Sequence, residues 1–273
     1  MIRAAIIGHP VAQSLSPLIH GHWFREYHVE GTYGAVDIAP ADLGVRFKSL
    51  CDEGYSGFNV TMPYKQSVMT LCDAIDDTAR AIGAVNTIVI SNKRIEGRNT
   101  DAFGFIENLK KQQPGYDFKS KPVVVLGAGG AARAVIYGLL QEGVPEIRLS
   151  NRTRENAEIL AHDFPRVTVV DWDGRADSCV EVGLLTNTTL LGMKGQAVLD
   201  MNLERLPDDA VVCDIVYKPL QTPLLQDAKA RGLATVTGIG MLLHQARPAF
   251  AAWTGTMPAV TKELEKMIAE SAL

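Results

Sequence analysis

A glycine-rich turn between an apolar strand and a helix is the feature that most constrains how this chain can fold. The apolar run Pro122–Leu126 predicts a buried strand, and Gly127-Ala128-Gly129-Gly130-Ala131-Ala132 follows it directly. This G-x-G-x-x-A spacing is a dinucleotide-binding pattern when it joins a strand to a helix. The first glycine allows the tight turn, the second lets the backbone approach a pyrophosphate, and the small last residue permits close helix–strand packing. We therefore predict a Rossmann-like unit that binds a dinucleotide, the alternative being a small-residue turn without a ligand.

The residues after the next predicted strand indicate which dinucleotide binds. An acidic residue about 20 positions after the glycine pattern would bind the ribose 2′-hydroxyl of NAD. Here the strand 146–150 leads into Asn151-Arg152-Thr153-Arg154, which contains two arginines and no carboxylate. Arginine forms charge-assisted hydrogen bonds with a dianionic phosphate. This tip of the strand, residues 151–154, therefore predicts NADP as the cofactor. The alternative is that both arginines are only solvent-exposed residues at the start of a helix.

Strand and helix patterns alternate along nearly the whole chain, which is typical of an α/β fold with mainly parallel sheets. With 273 residues, the chain has room for one large or two modest domains. The stretch 112–121 contains proline, glycine and several charges, so composition alone favours a domain boundary there. Helices are expected to begin at Ser16-Pro17, with Ser16 as the cap, and near Pro63.

Charge and composition exclude several classes of protein. The chain has 27 Lys and Arg against 31 Asp and Glu, a formal net charge of -4, whereas nucleic-acid binders usually carry a basic excess. No apolar run approaches the roughly 20 residues that span a bilayer, and the first residues do not read as a signal peptide. Four scattered cysteines without CxxC spacing indicate neither a zinc site nor a redox pair, so no metal is predicted. We expect a cytoplasmic protein that binds neither nucleic acid nor membranes.

Polar clusters interrupt the apolar pattern in the first part of the chain, next to predicted strand ends, where ligands of open α/β sheets bind. Ser14 and Ser16 adjoin a predicted helix N-terminus, where two hydroxyls could hold a small carboxylate. Lys65 and Asp101 are candidates for proton transfer to a carbonyl oxygen that is being reduced. A solvated lysine and an ordinary helix cap are the alternatives for these two. The remaining clusters are Asn59-Val60-Thr61-Met62-Pro63-Tyr64-Lys65, Asn86-Thr87 and Asn99-Thr100-Asp101.

In their order along the chain, these motifs resemble those of the shikimate dehydrogenase family. The resemblance covers essentially the whole chain. It further includes Gly8-His9-Pro10, Gly83-Ala84-Val85, Gly97-Arg98, Asn187-Thr188-Thr189 with Gly192-Met193, Gly238-Ile239-Gly240-Met241-Leu242, Phe250 and Trp253-Thr254-Gly255.

The resemblance implies two α/β domains with the active site in the cleft between them. Residues 1–101 plus 239–273 would form an N-terminal substrate-binding catalytic domain with a mainly parallel sheet. Residues 102–238 would form a C-terminal Rossmann-like NADP domain, which moves the boundary away from 112–121. The implied activity is the NADPH-dependent, reversible reduction of 3-dehydroshikimate to shikimate by hydride transfer, a step of chorismate and aromatic amino acid biosynthesis.

The resemblance also implies roles for individual residues. Lys65 and Asp101 would form the catalytic pair, with Lys65 as the acid and base. The substrate would be bound by Ser14, Ser16, Asn59, Thr61, Lys65, Asn86, Asp101, Tyr217 and Gln245. The cofactor would be bound by Asp77, Gly127, Ala128, Gly129, Gly130, Ala131, Asn151, Arg152, Thr153, Arg154, Thr188, Ile215, Gly238 and Met241.

Several alternatives stay open. A quinate/shikimate or aminoshikimate dehydrogenase would share the scaffold, and the region of Ser14, Ser16 and Tyr217 would decide between them, because quinate carries an extra hydroxyl on the carbon that bears the carboxylate. A non-catalytic NADP-binding regulator is a second alternative, against which the intact Lys65 and Asp101 argue. The sequence does not distinguish a monomer from a homodimer.

Overall fold

The computed structural model describes residues 1–272, which divide into two compact units. The first unit contains residues 1–104 and 242–271, and the second contains residues 105–241 together with Ala272. Residue 273, which the expected substrate domain includes, lies outside the described residues. The stretch 112–121 lies inside the second unit, so the boundary that composition favoured there is wrong. Tyr116 and Phe118 pack against the core of that unit and attach the stretch to it, although its polar residues are typical of a linker.

The first unit is built on a mixed sheet. Its strands are β1 (Ile2–Gly8), β2 (Gly31–Asp37), β3 (Gly57–Val60), β4 (Ala74–Ile75), β5 (Thr87–Ser91) and β6 (Arg94–Arg98). They lie in the order β2-β1-β3-β5-β6-β4. The pairs β1–β2, β1–β3 and β4–β6 are parallel, and β5 pairs antiparallel with β3 and β6. The expected α/β class with a mainly parallel sheet is confirmed, with a hairpin added at β5–β6.

Helices pack around this sheet. They are α1 (Ser16–Glu26), α2 (Leu43–Asp52), α3 (Asp77–Ile82), the start of α4 (Asp101–Gln112), most of α8 (Ile239–Thr254), and α9 (Lys262–Glu270). Buried apolar residues of β1, β3 and α2, among them Ile7, Phe47 and Phe58, form one continuous core. This core packs against the strands whose ends carry the polar clusters.

The helix expected near Pro63 does not form. Met62 and Pro63 instead occupy a turn that is closed by a 3.0 Å hydrogen bond from the Tyr64 N–H to the Thr61 carbonyl. A short 3-10 helix begins only at Ser67. Proline favours a tight turn as much as a first helical turn, so the sequence signal there was ambiguous.

The second unit is a doubly wound parallel sheet. Its strands are β7 (Val123–Leu126), β8 (Ile147–Ser150), β9 (Val167–Val170), β10 (Leu184–Asn187), β11 (Val211–Asp214) and β12 (Ala234–Val236), in the order β12-β11-β10-β7-β8-β9. All five pairs are parallel. The helices are the rest of α4, α5 (Gly130–Gln141), α6 (Arg154–Asp163), α7 (Pro223–Ala230) and the first turn of α8.

Both faces of this sheet are covered, which explains its continuous apolar strands. In β7, Val123 and Val125 face one apolar cluster, whereas Val124 and Leu126 face the other. The chain winds from β7 towards β9 on one side and from β10 towards β12 on the other. The strand order therefore reverses between β7 and β10, and ligands bind at the carboxyl ends of the strands at such a point.

No helix within residues 1–272 combines the length and the apolar character needed to cross a membrane.

Candidate functional site

The glycine-rich turn lies at the carboxyl end of β7, next to the point of strand-order reversal. Gly127 has φ +107, a backbone conformation that favours glycine. A Cβ at this position would lie 2.6 Å from the Thr188 Oγ1 atom. That hydroxyl donates a 2.6 Å hydrogen bond to the Leu126 carbonyl, so the turn is packed against the segment after β10. Residue 127 must therefore be glycine for both conformation and space.

The second glycine leaves open space at the start of α5. Gly129 is the N-cap residue of this helix. A Cβ built on it would meet no other part of the described chain within 4 Å. Ala132, by contrast, is fully buried in the core. The turn thus presents the free N–H groups of a helix N-terminus to a space that a side chain would fill, which fits a pyrophosphate.

The two arginines of the tip after β8 differ in their surroundings. The Arg154 guanidinium forms an ion pair with Asp171 and donates from Nε to Glu158 Oε1 at 2.7 Å. Arg152 is exposed and makes no ion pair within residues 1–272. Asn151 stabilises the tip by donating from Nδ2 to the Thr153 carbonyl at 2.7 Å. Arg152 is therefore the arginine whose charge is available to a phosphate.

The other cofactor candidates, together with the substrate candidate Tyr217, are spread over both units. A Cβ on Gly238, which follows β12, would lie 2.2 Å from the Ile215 carbonyl oxygen, so these two segments adjoin in the second unit. Met241 is 8% exposed, close to the start of α8. Tyr217 is half-buried in the second unit, and burial raises its pKa. Asp77 belongs to the first unit, where it is exposed in the first turn of α3.

The ends of β10 and β11 carry a buried hydrogen-bond network around Asp214 that was not predicted from the sequence. The Asp214 carboxylate accepts hydrogen bonds from Thr222 Oγ1 at 2.7 Å, the Val216 N–H at 3.0 Å and Asn187 Nδ2 at 3.0 Å. Burial raises the pKa of Asp214 to about 6, although these donors oppose the rise. A carboxylate that ends the apolar run Val211-Val212-Cys213 was the available signal. The network positions the loops that carry Thr188 and Ile215.

In the first unit, Lys65 and Asp101 form a close ion pair. Lys65 Nζ lies 2.6 Å from Asp101 Oδ2, and the side chains are 17% and 6% exposed. Lys65 follows β3 and its turn, and its carbonyl accepts a 2.7 Å hydrogen bond from the Val85 N–H. Asp101 begins α4, where its N–H donates to Asn99 Oδ1 at 2.9 Å, so Asn99 receives a free N–H of this helix. An ammonium and a carboxylate in this arrangement can deliver a proton to a bound oxygen or remove one.

Asn86 connects this pair to the other polar clusters. Its Nδ2 donates to Asp101 Oδ1 at 2.8 Å and to Thr100 Oγ1 at 2.9 Å, and lies 3.4 Å from Gln245 Oε1. Its Oδ1 accepts the Thr100 N–H at 2.8 Å. A backbone N–H can only donate, so this bond fixes which end of the amide faces Asp101.

Asn59 extends the network along the neighbouring strand. Its Nδ2 donates to Thr87 Oγ1 at 3.2 Å and to the Asn86 carbonyl at 3.3 Å. Thr61 follows β3 directly, and its N–H donates to the Ile7 carbonyl at 2.9 Å. The structure thus brings Lys65, Asn86, Asp101 and Gln245 together and joins Asn59 to them through Thr87, to which the sequence assigned no role.

The two serines lie at the start of α1, but not as expected. The N-cap residue is Leu15, and Ser16 is the first residue of the helix, buried at 2% exposure. Ser14 Oγ receives the Ser16 N–H at 3.2 Å. The expectation that Ser16 caps the helix is wrong, because Leu15 is the N-cap residue and Ser16 lies inside the first turn, where its hydroxyl is left for another partner.

Nothing in residues 1–272 groups three or more histidine, cysteine, aspartate or glutamate side chains in a way that could hold a metal ion.

Three family models match the chain. Residues 6–88 match the shikimate dehydrogenase substrate binding domain, and residues 108–175 match the shikimate / quinate 5-dehydrogenase model. Residues 238–262 match the shikimate 5′-dehydrogenase C-terminal domain. The matched ranges follow one another along the chain and include the glycine-rich turn and α8.

Similar proteins cover the chain almost completely. A shikimate dehydrogenase (NADP(+)) from Azorhizobium caulinodans is 49% identical over 98% of this chain and 96% of its own length. The crystal structure of shikimate 5-dehydrogenase from Thermus thermophilus in complex with NADP(H) and shikimate has a TM-score of 0.89 at 38% identity, with 100% of both chains covered. Quinate dehydrogenase from Corynebacterium glutamicum in complex with NAD has a TM-score of 0.89 at 31% identity, covering 99% of this chain and 98% of its own. This chain therefore belongs to the shikimate dehydrogenase family.

Proposed function

We propose that this protein is an NADP-dependent oxidoreductase that interconverts 3-dehydroshikimate and shikimate. The observation that carries the proposal is the Lys65–Asp101 pair within hydrogen-bonding distance of Asn86, on a chain of this family. The availability of Arg152 favours NADP over NAD, and the named activity of the relatives agrees with that choice. The reaction is a step of aromatic amino acid biosynthesis.

Lys65 delivers and accepts the proton in this proposal. In the reductive direction its ammonium donates a proton to the ring oxygen, and in the oxidative direction its amine accepts that proton. Asp101 Oδ2 orients the Lys65 side chain, and Asn86 holds the carboxylate through Oδ1. Both catalytic groups are thereby positioned before a substrate arrives.

Two groups of side chains would bind the substrate. Ser14 and Ser16, with Tyr217 from the second unit, would hold its carboxylate, since hydroxyl donors at a helix start suit an anion. The ring hydroxyls would contact Thr61, Asn86, Asp101 and Gln245, whose amide and carboxylate groups offer both donors and acceptors. Asn59 would orient the strand end from which Thr61 and Lys65 follow.

The cofactor is assigned to the second unit. When bound, NADP(H) supplies or accepts the hydride. Gly127, Ala128, Gly129, Gly130 and Ala131 would receive its pyrophosphate at the start of α5. The 2′-phosphate would contact Arg152, with Asn151, Thr153 and Arg154 beside it. The remaining assigned contacts are Thr188, Ile215, Gly238, Met241 and, from the first unit, Asp77.

The domain roles and the compartment are part of the proposal. Residues 1–101 plus 239–273 would bind substrate, and residues 102–238 would bind NADP. A reducing, cytoplasmic compartment is supported by the four cysteines, all of which are free thiols.

The first experiment is an absorbance assay at 340 nm with purified protein. Shikimate and NADP are tested beside shikimate with NAD and quinate with NADP, and the Lys65→Met variant serves as the background. Rapid NADP reduction with shikimate alone is the expected result. Faster turnover with quinate would instead identify a quinate-oxidising relative, and no turnover with any pair would favour a non-catalytic NADP-binding protein.

A further inference from the structure

The phenol of Tyr33 connects two side chains of the proposed substrate site. Its hydroxyl donates to Asn59 Oδ1 at 2.6 Å, and the Ser16 side chain acts on the pKa of the same phenol. Tyr33 lies on β2, outside every motif that the sequence singled out. We propose that Tyr33 is a positioning residue for substrate binding, which holds the Asn59 amide and the Ser16 hydroxyl in the orientations that the substrate site requires. This inference rests on the proposed function.

The protonation state of the phenol determines the direction of each hydrogen bond. Burial raises the pKa of Tyr33 well above its ordinary value, and the Ser16 hydroxyl only partly opposes the rise. The phenol is therefore neutral at neutral pH, with one hydrogen to donate. That hydrogen goes to the carbonyl oxygen of the Asn59 amide. The phenol oxygen keeps its capacity to accept a second hydrogen bond, and Ser16, buried at 2% exposure, carries the hydroxyl that opposes the rise in pKa.

A chain of hydrogen bonds leads from the Asn59 amide to the catalytic pair. Because Asn59 Oδ1 is held by Tyr33, its Nδ2 points to Thr87 Oγ1 at 3.2 Å. The Thr87 hydroxyl then donates to Asn86 Oδ1 at 3.0 Å, and Asn86 Nδ2 donates to Asp101 Oδ1 at 2.8 Å. Every donor in this path has one direction, which the Tyr33 hydroxyl supports at one end and the Thr100 N–H supports at the other.

Packing holds the phenol in place independently of these bonds. The Tyr33 ring stacks on His20 with the centroids 4.2 Å apart and the planes 9° apart, and the Trp253 ring lies 6.0 Å away. His20 is fully buried, and burial lowers its pKa to about 3. A neutral imidazole packs as an aromatic ring, so replacing Tyr33 by phenylalanine removes the hydroxyl and keeps the stack.

The test compares Tyr33→Phe with a matched loss of a hydroxyl elsewhere in the same unit. We expect Tyr33→Phe to raise KM for shikimate about tenfold, the effect of about one hydrogen bond, with kcat changed less than about threefold and KM for NADP unchanged. The matched variant is Tyr27→Phe, because the Tyr27 hydroxyl accepts the Ala259 N–H at 2.8 Å, next to α9. Tyr27→Phe is expected to keep the wild-type KM for shikimate even where it lowers the melting temperature.

A double-mutant cycle separates positioning from general stability. If Tyr33 acts through Ser16 or Asn59, Tyr33→Phe has a smaller effect on KM in a Ser16→Ala or an Asn59→Ala background than in the wild type. Additive effects in both backgrounds, or an unchanged KM in Tyr33→Phe, would overturn the inference while leaving the proposed function intact. A wild-type protein that does not oxidise shikimate would overturn both.

Discussion

Lys65 Nζ lies 2.6 Å from one carboxylate oxygen of Asp101, and the other oxygen accepts a hydrogen bond from Asn86 at 2.8 Å. Both oxygens of Asp101 are therefore occupied, and its side chain is only 6% exposed. Removing the lysine would leave a buried carboxylate with its amide partner but without its counter-charge. The pair is thus suited to hold the ammonium at a fixed point rather than to share it with solvent.

The first prediction concerns Lys65. Lys65→Met keeps the aliphatic stem and removes the proton donor, so kcat should fall about 10²- to 10⁴-fold, the usual contribution of a positioned acid or base. Shikimate binding, measured by calorimetry, should change far less. Lys48→Met, at an exposed position of α2, is the matched control and should behave as wild type. A variant with lost binding and normal kcat would refute the catalytic role.

The second prediction separates the two roles of the glycine-rich turn. Gly129→Ala adds a methyl group that meets no other part of the described chain, so its melting temperature should stay near that of the wild type. The same methyl group occupies the space proposed for the pyrophosphate, so KM for NADP should rise more than about tenfold. Gly127→Ala, at φ +107 and 2.6 Å from Thr188, should instead lose stability by about 1–3 kcal/mol. Normal NADP binding by Gly129→Ala would place the pyrophosphate elsewhere.

The third prediction ranks the two arginines of the cofactor loop. Arg152→Ala should raise KM for NADP about 10- to 100-fold, since a hydrogen bond to a charged group contributes roughly 1.5–3 kcal/mol. KM for NAD, which lacks the 2′-phosphate, should not change. Arg154→Ala should have a smaller effect, because Glu158 and Asp171 already neutralise that guanidinium. Equal losses for the two variants would mean that NADP displaces Asp171 from Arg154.

The second unit was largely predictable from the sequence because its signals are local. The run Pro122–Leu126, the glycine pattern and the cap-plus-proline pair Thr222-Pro223 each specify one element. Thr222 Oγ1 accepts the Leu225 N–H as that pair predicts. Helix α6 (Arg154–Asp163) begins directly after the loop Asn151–Thr153. The resemblance to a family then added the roles of residues that local signals leave undetermined.

What the sequence could not show depends on partners far apart in the chain. The strand Arg94–Arg98 is rich in charges and is formed by pairing with Thr87–Ser91 across a turn at Asn92 and Lys93, both of which have positive φ. Tyr33 reads as one aromatic residue of a strand, and only the fold brings its hydroxyl to Asn59. Side-chain hydrogen bonds of this kind have no periodicity that a sequence pattern could reveal.

The last prediction concerns the pH dependence of stability that Asp214 causes. Burial raises the pKa of this carboxyl from its ordinary 3.8 to about 6, so the folded state binds the proton more tightly than the unfolded state does. The corresponding stability is present below about pH 4 and is lost as the pH rises through about 6, a change of about 3 kcal/mol for a shift of this size.

Asp214→Asn should remove this dependence. The amide oxygen can accept from the Val216 N–H and Asn187 Nδ2, and the amide nitrogen can donate to Thr222 Oγ1, so the network keeps its shape. In urea unfolding between pH 4 and pH 7, the free energy of unfolding of the variant should increase relative to that of the wild type as the pH rises. Asp173→Asn removes the same charge at an exposed position. It should leave the slope of the unfolding free energy against pH as it is in the wild type. If the curves of unfolding free energy against pH run parallel for Asp214→Asn and the wild type, the Asp214 carboxyl has a pKa near its ordinary value in the folded protein.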